Sequence, residues 1–273
     1  MPFQSAALVG LGKMGEALAR CFVGSGALPA GEIVAYDTDP KRLQAGQALG
    51  LRVAASAAEA VRGRDLVILA VKPRDLLAAL GEIGPALEPG QVLVSIAAGV
   101  PTSTIRRALP SPPAIVRVMP SVACTVAEAA TAVASDSPAP PQALEAVVEL
   151  FHSAGTVVQV EERLMDAVTG LSASGVAYVF VMIEAMADGG VAAGLPRATA
   201  LQVAAQTVLG AAKMALVSGK HPGELKDMVT SPAGTTVAGL RALEKRGFRG
   251  AVIEAVRAAA ERARELAFEP PKS

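Results

Sequence analysis

Asparagine and tryptophan are missing from this 273-residue chain, and cysteine, histidine and tyrosine occur only twice each. Each shortage removes a class of function. Two distant cysteines, Cys21 and Cys124, build neither a disulfide framework nor a metal site, and they read as buried, reduced thiols. The two histidines leave little imidazole for acid–base work. His221 precedes Pro222 and reads as a helix-entry residue, while His152 falls on a helix face. No group of His, Cys, Asp or Glu has metal-ligand spacing, so no metal is expected. Aromatics are 3%, and 25 basic residues balance 25 acidic ones. Nucleic acid and anionic membrane surfaces both select for basic excess, so neither is expected as a partner. The first residues, "MPFQSAALVG", lack a charged region followed by an apolar stretch and a cleavage site, so the cytoplasm is the expected compartment. The missing asparagine reads as codon bias more readily than as heat adaptation, with Arg outnumbering Lys about two to one.

What is abundant is apolar: 52% of residues. The length allows a large core and two domains. One stretch, between Asp166 and Glu184, carries no charge, but Thr169, Gly170, Ser172, Ser174 and Gly175 interrupt it. A membrane span needs about 20 predominantly apolar residues. A buried helix is expected instead.

The first half alternates short β-type runs with helical segments. The strands are "AALVG", "EIVAYD", "RVAA", "DLVILAV", "QVLVSIA", "AIVRVM", "TAVAS" and "TVVQV". Helices are expected over Met14–Val23, from Asp39-Pro40 to Leu49, near Ala57–Arg62 and over Pro141–Ser153. Strand alternating with helix gives a mostly parallel sheet with right-handed crossovers. After Val160 no strand is expected. Helices are predicted over Glu162–Leu171, Val176–Ala193, Pro196–Ser218, Pro222–Met228, Thr235–Lys245 and Phe248–Ala267. Two of them, "GVAYVFVMIEAMA" and "ATALQVAAQTVLGAA", are apolar nearly all round and must be covered on every face. In so small a helical domain that implies burial against a second subunit. "SDSPAPPQ" is the one Pro-rich loop. The expected architecture is α/β: residues 1–160 as a dinucleotide-binding, Rossmann-like domain and 161–273 as an all-helical substrate-binding and dimerisation domain.

"ALVGLGKMGEAL" places Gly10, Gly12 and Gly15 after the first strand and at the start of the first helix, with Lys13 and Met14 between them. Gly10 permits the tight turn, Gly12 lets backbone approach a pyrophosphate, and Gly15 lets helix and strand pack closely. The helix N-terminus then faces the negative charge. Asp37 ends the second strand, where a ribose sits. Ligands lie beyond the carboxyl ends of the strands. That rule nominates Ala70, Val71, Lys72 and Pro73, then Ala97, Ala98 and Gly99, then Met119, Pro120 and Ser121. Lys72 also reads as a solvated loop cation.

The stretch "TSPAGTTVAGLRALE", Thr230–Glu244, is polar and Gly-rich in an apolar half. Ser231-Pro232 ends one helix and a new one begins near Thr235, where the first N–H groups have no intrahelical partner. Small residues at Ala233 and Gly234 let an anion approach, and Ser231 and Thr236 add hydroxyls. An ordinary Ser/Thr helix cap explains the same spacing. No His, Cys or Lys in the helical half reads as a general acid or base, which suits a substrate that already accepts hydride, such as a protonated C=N bond.

Together "GLGKMGEAL", "AVKP", "SIAAGV", "SGVAYVFVMIEAMADGGVAAGLPR", "HPGELKDMVTSPAGTTVAGLRALE" and "GFRGAVIEA" resemble the pyrroline-5-carboxylate reductase family over nearly the whole chain. The resemblance implies a Rossmann domain and a helical domain that intertwines with its partner's in a homodimer, or in a larger assembly of such dimers. It implies hydride transfer from NADH or NADPH to the cyclic imine of 1-pyrroline-5-carboxylate, giving L-proline. It places the substrate carboxylate on Ser231, Gly234, Thr235 and Thr236, with the Thr236 hydroxyl toward the ring nitrogen as the catalytic contact. The chain departs from the family pattern at Ser121-Val122-Ala123 (for N-T-P), at Ala173 and Val176 in "SASGVAY", and at Ala233 in "SPAGTT".

Two other readings stand beside this one: a related cyclic-imine reductase, and a nucleotide-binding regulatory protein without turnover. β-Hydroxyacid dehydrogenases share the two-domain plan but need a catalytic Lys with a nearby Asn, which this chain lacks. Between the cofactors, Asp37 favours NADH, because a carboxylate accepts from the ribose 2′-hydroxyl and repels a 2′-phosphate. Lys41 and Arg42, one turn on, are read as solvent-facing.

Overall fold

A computed structural model describes residues 3–135 and 139–266. Asp136, Ser137 and Pro138 of the Pro-rich loop, and Ala267 at the expected end of the last helix, lie outside the described residues. The chain forms two compact units, one made of residues up to Ser174 and from Arg257 on, the other of Gly175–Val256.

The first unit holds an eight-stranded sheet in the order β3-β2-β1-β4-β5-β6-β7-β8. The strands are β1 Ala6–Val9, β2 Ile33–Tyr36, β3 Arg52–Val53, β4 Leu66–Leu69, β5 Val92–Ser95, β6 Ala114–Met119, β7 Ala129–Ser135 and β8 Gly155–Gln159. Between them run the helices α1 Lys13–Gly24, α2 Pro40–Ala48, α3 Ala57–Val61, α4 Leu76–Ile83, α5 Thr102–Arg107 and α6 Pro141–His152. Neither α4 nor α5 is foreseen by the pattern above. β1, β4 and β5 are buried along their whole length, as continuous Val/Leu/Ile runs covered on both faces require. Two apolar layers cover the sheet, one around Leu18, Phe22 and Phe151, the other around Leu76, Leu80 and Ile83.

The sheet is parallel from β3 to β6, and then the direction reverses: β7 pairs antiparallel to β6 and parallel to β8. The cause is the connection. Between β6 and β7 lies only the 3₁₀ turn Val122–Val126, and a parallel crossover needs a dozen or more residues.

The segment expected as one helix over Glu162–Leu171 is composite. A 3₁₀ turn, Glu162–Leu164, leads into α7 Met165–Val168, and a π turn over Thr169–Ala173 follows. There the Ser174 N–H reaches back five residues to the Thr169 carbonyl, at 2.9 Å.

The second unit is helical: α8 Gly175–Ala192, α9 Arg197–Ser218, α10 Pro222–Met228, α11 Thr235–Lys245 and the first part of α12 Phe248–Leu266. α8 and α9 meet through Ala187, Ala200 and Ala204. Gly190 keeps that seam close, since a Cβ there would come within 3.2 Å of the Ala200 Cβ. Within one chain these helices are left largely uncovered, as expected of helices meant to be buried against a second subunit. Phe180, Val181, Leu209, Leu216 and Val217 stand more than half exposed, Leu216 at 83%. By length and composition alone, Glu162–Ala192 and Arg197–Ser218 would pass as membrane spans. One chain simply has too few other elements to cover helices that lack a polar face.

Cys21 on α1 and Cys124 in the Val122–Val126 turn are both buried and free. Burial pushes both thiols up, Cys124 to about 11 with Cys21 nearby adding to it; the Ser153 side chain partly offsets the rise at Cys21. A raised folded pKa means stability that is complete below the unfolded value and lost as pH climbs through the folded one. Native protein should therefore resist iodoacetamide at pH 8 and react at both thiols in urea, by mass spectrometry. Its unfolding free energy should decline as pH rises from 9 toward 11. Alkylation of either thiol in the native state at pH 8 would contradict this burial.

Candidate active site

Because β1, β2, β4, β5 and β6 run the same way, their carboxyl ends open on one edge of the sheet. A cavity of about 1020 Å³ lies there. Its floor is the first turn. Gly10 has φ +100°, and a Cβ on it would lie 2.7 Å from the Ala70 carbonyl oxygen of the neighbouring strand end. Only glycine satisfies both conditions. Gly12 is the N-cap of α1 in extended conformation, with no side chain capping the helix. A Cβ on Gly12 would meet nothing but Arg42 Nη1, at 3.8 Å, so the backbone is open on the cavity side. The N–H groups of Lys13 and Met14 are thereby left for an anion. Gly15 works from beneath. Its Cβ would strike the Gly10 carbonyl oxygen at 2.0 Å, and it packs the turn without lining the cavity.

Asp37 holds this turn in place. Its Oδ2 accepts the Leu11 N–H at 2.7 Å and its Oδ1 accepts the Asp39 N–H at 2.9 Å. Arg42 corrects the expectation of a solvent-facing cation. Its Nη1 turns back onto Asp37, 3.3 Å from Oδ2, and it lines the cavity. The physical reason lies at the start of α2: Asp39 caps the helix through the Lys41 N–H and also draws Arg42 Nε to 3.6 Å.

The other cavity residues arrive from successive strand ends. Ala70, Val71, Lys72 and Pro73 follow β4, Ala97 and Ala98 follow β5, and Met119, Pro120 and Ser121 end β6. Gly99, also nominated from the sequence, is not part of the lining. Sequence reasoning missed Arg74, Glu82, Thr169 and Ala173. Arg74 was within reach of the strand-end rule, two residues after Lys72. Thr169 and Ala173 were not, because a π turn shifts the phase of the helix.

In the second unit, Thr230 ends α10 by bonding its hydroxyl to the Lys226 carbonyl at 2.6 Å. The turn that follows carries Ala233 at φ +57°, and Gly234 is the N-cap of α11 with no side-chain cap. A Cβ at Gly234 would lie 2.3 Å from Ser231 Oγ, so the Ser231 hydroxyl stands directly beside the helix start. Among the described residues no hydrogen bond engages the hydroxyls of Ser231, Thr235 or Thr236. The N-terminus of an 11-residue helix thus presents free N–H groups with three hydroxyls around it. No group of His, Cys, Asp or Glu among the described residues could hold a metal ion.

A glycine turn after the first strand, an acid at the end of the second and a cleft across the strand ends define a dinucleotide-binding protein of the Rossmann class. Comparison with known proteins narrows the class. Residues 162–266 match the family model for pyrroline-5-carboxylate reductase dimerisation, and residues 5–99 match that of the NADP oxidoreductase, coenzyme F420-dependent family. The pyrroline-5-carboxylate reductase of Methanosarcina acetivorans is 51% identical, covering 97% of this chain and 99% of its own. That of Pisum sativum is 44% identical over 94% of each. The solved Plasmodium falciparum pyrroline carboxylate reductase, which has NADP bound, superposes with a TM-score of 0.89 at 31% identity, over 97% of this chain and 98% of that one. The chain belongs to the pyrroline-5-carboxylate reductase family.

Proposed function

We propose that this chain reduces the C=N bond of 1-pyrroline-5-carboxylate to L-proline, with residues 1–160, joined by Thr169 and Ala173, serving the cofactor and the helical residues that follow serving the substrate and dimerisation. The observation that carries the substrate half is the start of α11, where among the described residues no side chain caps the helix and the Ser231 hydroxyl stands beside Gly234. A carboxylate suits it in charge and size. Loss of nicotinamide absorbance on mixing 1-pyrroline-5-carboxylate with NADH or NADPH tests the reading directly; a protein that binds both without turnover would refute it.

When bound, the dihydronicotinamide supplies a hydride. The residues fit such a group: Gly10 and Gly12 clear the floor, the Lys13 and Met14 N–H groups would hold the pyrophosphate, and Asp37 and Arg42 would flank the ribose. The chain's own work is to hold and orient. Ser231, Gly234 and Thr235 grip the carboxylate. Thr236 hydrogen-bonds the ring nitrogen, which changes from iminium to amine as the carbon beside it gains the hydride. No ionisable side chain is required, because the iminium already carries the proton that the amine keeps.

Thr236 therefore acts mainly in the transition state and Ser231 in ground and transition states alike. Thr236→Ala should lower kcat, and Ser231→Ala should mainly raise KM for the imine. A hydrogen bond to a charged group is worth about 1.5–3 kcal/mol, so each loss should be roughly 10- to 150-fold in kcat/KM. Unchanged kcat/KM in both variants would reduce the turn to a helix start.

On the cofactor, NADH is favoured by a narrow margin. Asp37 keeps acceptor capacity for a 2′-hydroxyl, since a carboxylate has about four lone-pair sites and three protein donors approach it. Arg42 offsets part of the carboxylate's repulsion of a 2′-phosphate. Asp37→Ser should free Arg42 and shift preference to NADPH, and Arg42→Ala should widen the preference for NADH. Steady-state kcat/KM with each cofactor at saturating imine decides the matter, and a wild-type preference for NADPH would show Arg42 serving the phosphate instead.

The dimerisation match supports self-association, and the exposed faces of α8 and α9 support an intertwined form. Such obligate interfaces bury more than about 2,000 Å². Sedimentation at micromolar protein should give a dimer or a multiple of it; a fully active monomer would exclude this arrangement. Two buried free thiols suit the reducing cytoplasm.

A further inference from the structure

Behind the far end of the cleft lies a buried charge that the reaction does not use. Arg117 is 3% exposed, on β6 between Ser95 of β5 and Ala134 of β7. Its Nη2 donates to Asp166 Oδ1 at 3.1 Å, and its Nη1 lies 3.7 Å from Glu162 Oε1. Its Nε is buried without a partner. Glu162 is fixed from the other side, where Thr102 gives it both its N–H and its hydroxyl, each at 2.7 Å. One guanidinium thus ties β6, the start of α5 and the segment Glu162–Val168 together.

Stability alone is a poor reason to bury this group. Desolvating such ions is costly, and well-packed apolar replacements are often neutral or stabilising. Position is a better reason. Asp166 lies one turn before Thr169 and two before Ala173, and both of those line the cleft. Arg117 itself is two residues before Met119, and Met119 and Ser121 line the cleft as well. The apolar core under the segment is small, only Met119, Ala132, Ala134 and Met165 fully buried. It leaves the rotation and height of α7 loosely specified, and a directional ion pair specifies them.

We propose that Arg117 is a positioning residue for hydride transfer: through Asp166 it sets the gap between the end of β6 and the π turn, and so holds the nicotinamide end of the cleft to its working width. This rests on the cleft being the dinucleotide site. The adenosine end, built by Gly10, Gly12 and Asp37, does not involve Arg117. Cofactor affinity and chemistry therefore separate.

The test uses Asp166→Asn, Arg117→Lys and the apolar double variant Arg117→Met/Asp166→Leu in the full-length protein. Titration calorimetry of wild type with NADH checks the cleft reading by itself. In Asp166→Asn, kcat should fall roughly 10- to 100-fold, the loss that small misplacement brings. The calorimetric Kd for NADH should stay within about threefold of wild type. Without any cofactor, amide exchange across residues 165–174 should speed up. Arg117→Lys should recover part of kcat. The double variant should melt within about 3 °C of wild type and still be slow. A double variant with wild-type Tm and wild-type kcat would overturn the proposal. So would unchanged exchange at 165–174 in Asp166→Asn, or a loss that appears in Kd and not in kcat.

Discussion

The cofactor half of this protein depends on one close approach, the backbone of Gly10 passing against the end of β4. The turn fits only because residue 10 has no Cβ, and it stays only because Asp37 draws in the Leu11 N–H. Once that geometry is set, the start of α1 faces the strand ends uncapped, and every later strand delivers its loop to the same edge. The arrangement couples two properties that are usually discussed apart. The carboxylate proposed to meet the ribose also holds the glycine turn, so a change at Asp37 alters local backbone order and, on that proposal, recognition with it.

Much of this was legible in the residues. All eight strands read in order, β1, β4 and β5 most plainly, because a strand covered on both faces cannot hide its composition. The glycine fingerprint read correctly as a turn because a glycine requirement is steric and local. Direction was less visible. A run such as "TAVAS" does not say which way it points; the length of the link from β6 does, since the short turn at Val122–Val126 leaves no room for a crossover. Short α4 and α5 offered too few residues for a helical period to emerge. Arg42 escaped because a side chain near a helix start can turn to solvent or back to the sheet, and only the placed carboxylates of Asp37 and Asp39 decide. Thr169 and Ala173 escaped because a π turn breaks the period on which helix faces are read.

The turn before α11 shows a different economy. Ala233 occupies the left-handed region, where an L side chain costs about 1–2 kcal/mol and glycine would sit without penalty. The conformation sits in a short turn: α10 ends at Met228 with Thr230 bonded back to the Lys226 carbonyl, Gly234 is the N-cap of α11, and Ser231 Oγ occupies the space beside Gly234. Strain held by its surroundings is commonly found where a ligand is gripped. Here it falls directly before the uncapped start of α11, the turn proposed to hold the substrate carboxylate.

The bare flanks of α8 and α9 reach beyond architecture into the life of the chain. On the proposed dimer, a newly made copy carries Phe180, Leu209 and Leu216 in water until another copy covers them. Its lifetime in that state is set by encounter frequency and so by abundance. Dilution would then act as a denaturant, melting temperature would rise with protein concentration, and a defective copy made in the same cell could spoil a sound one by pairing with it.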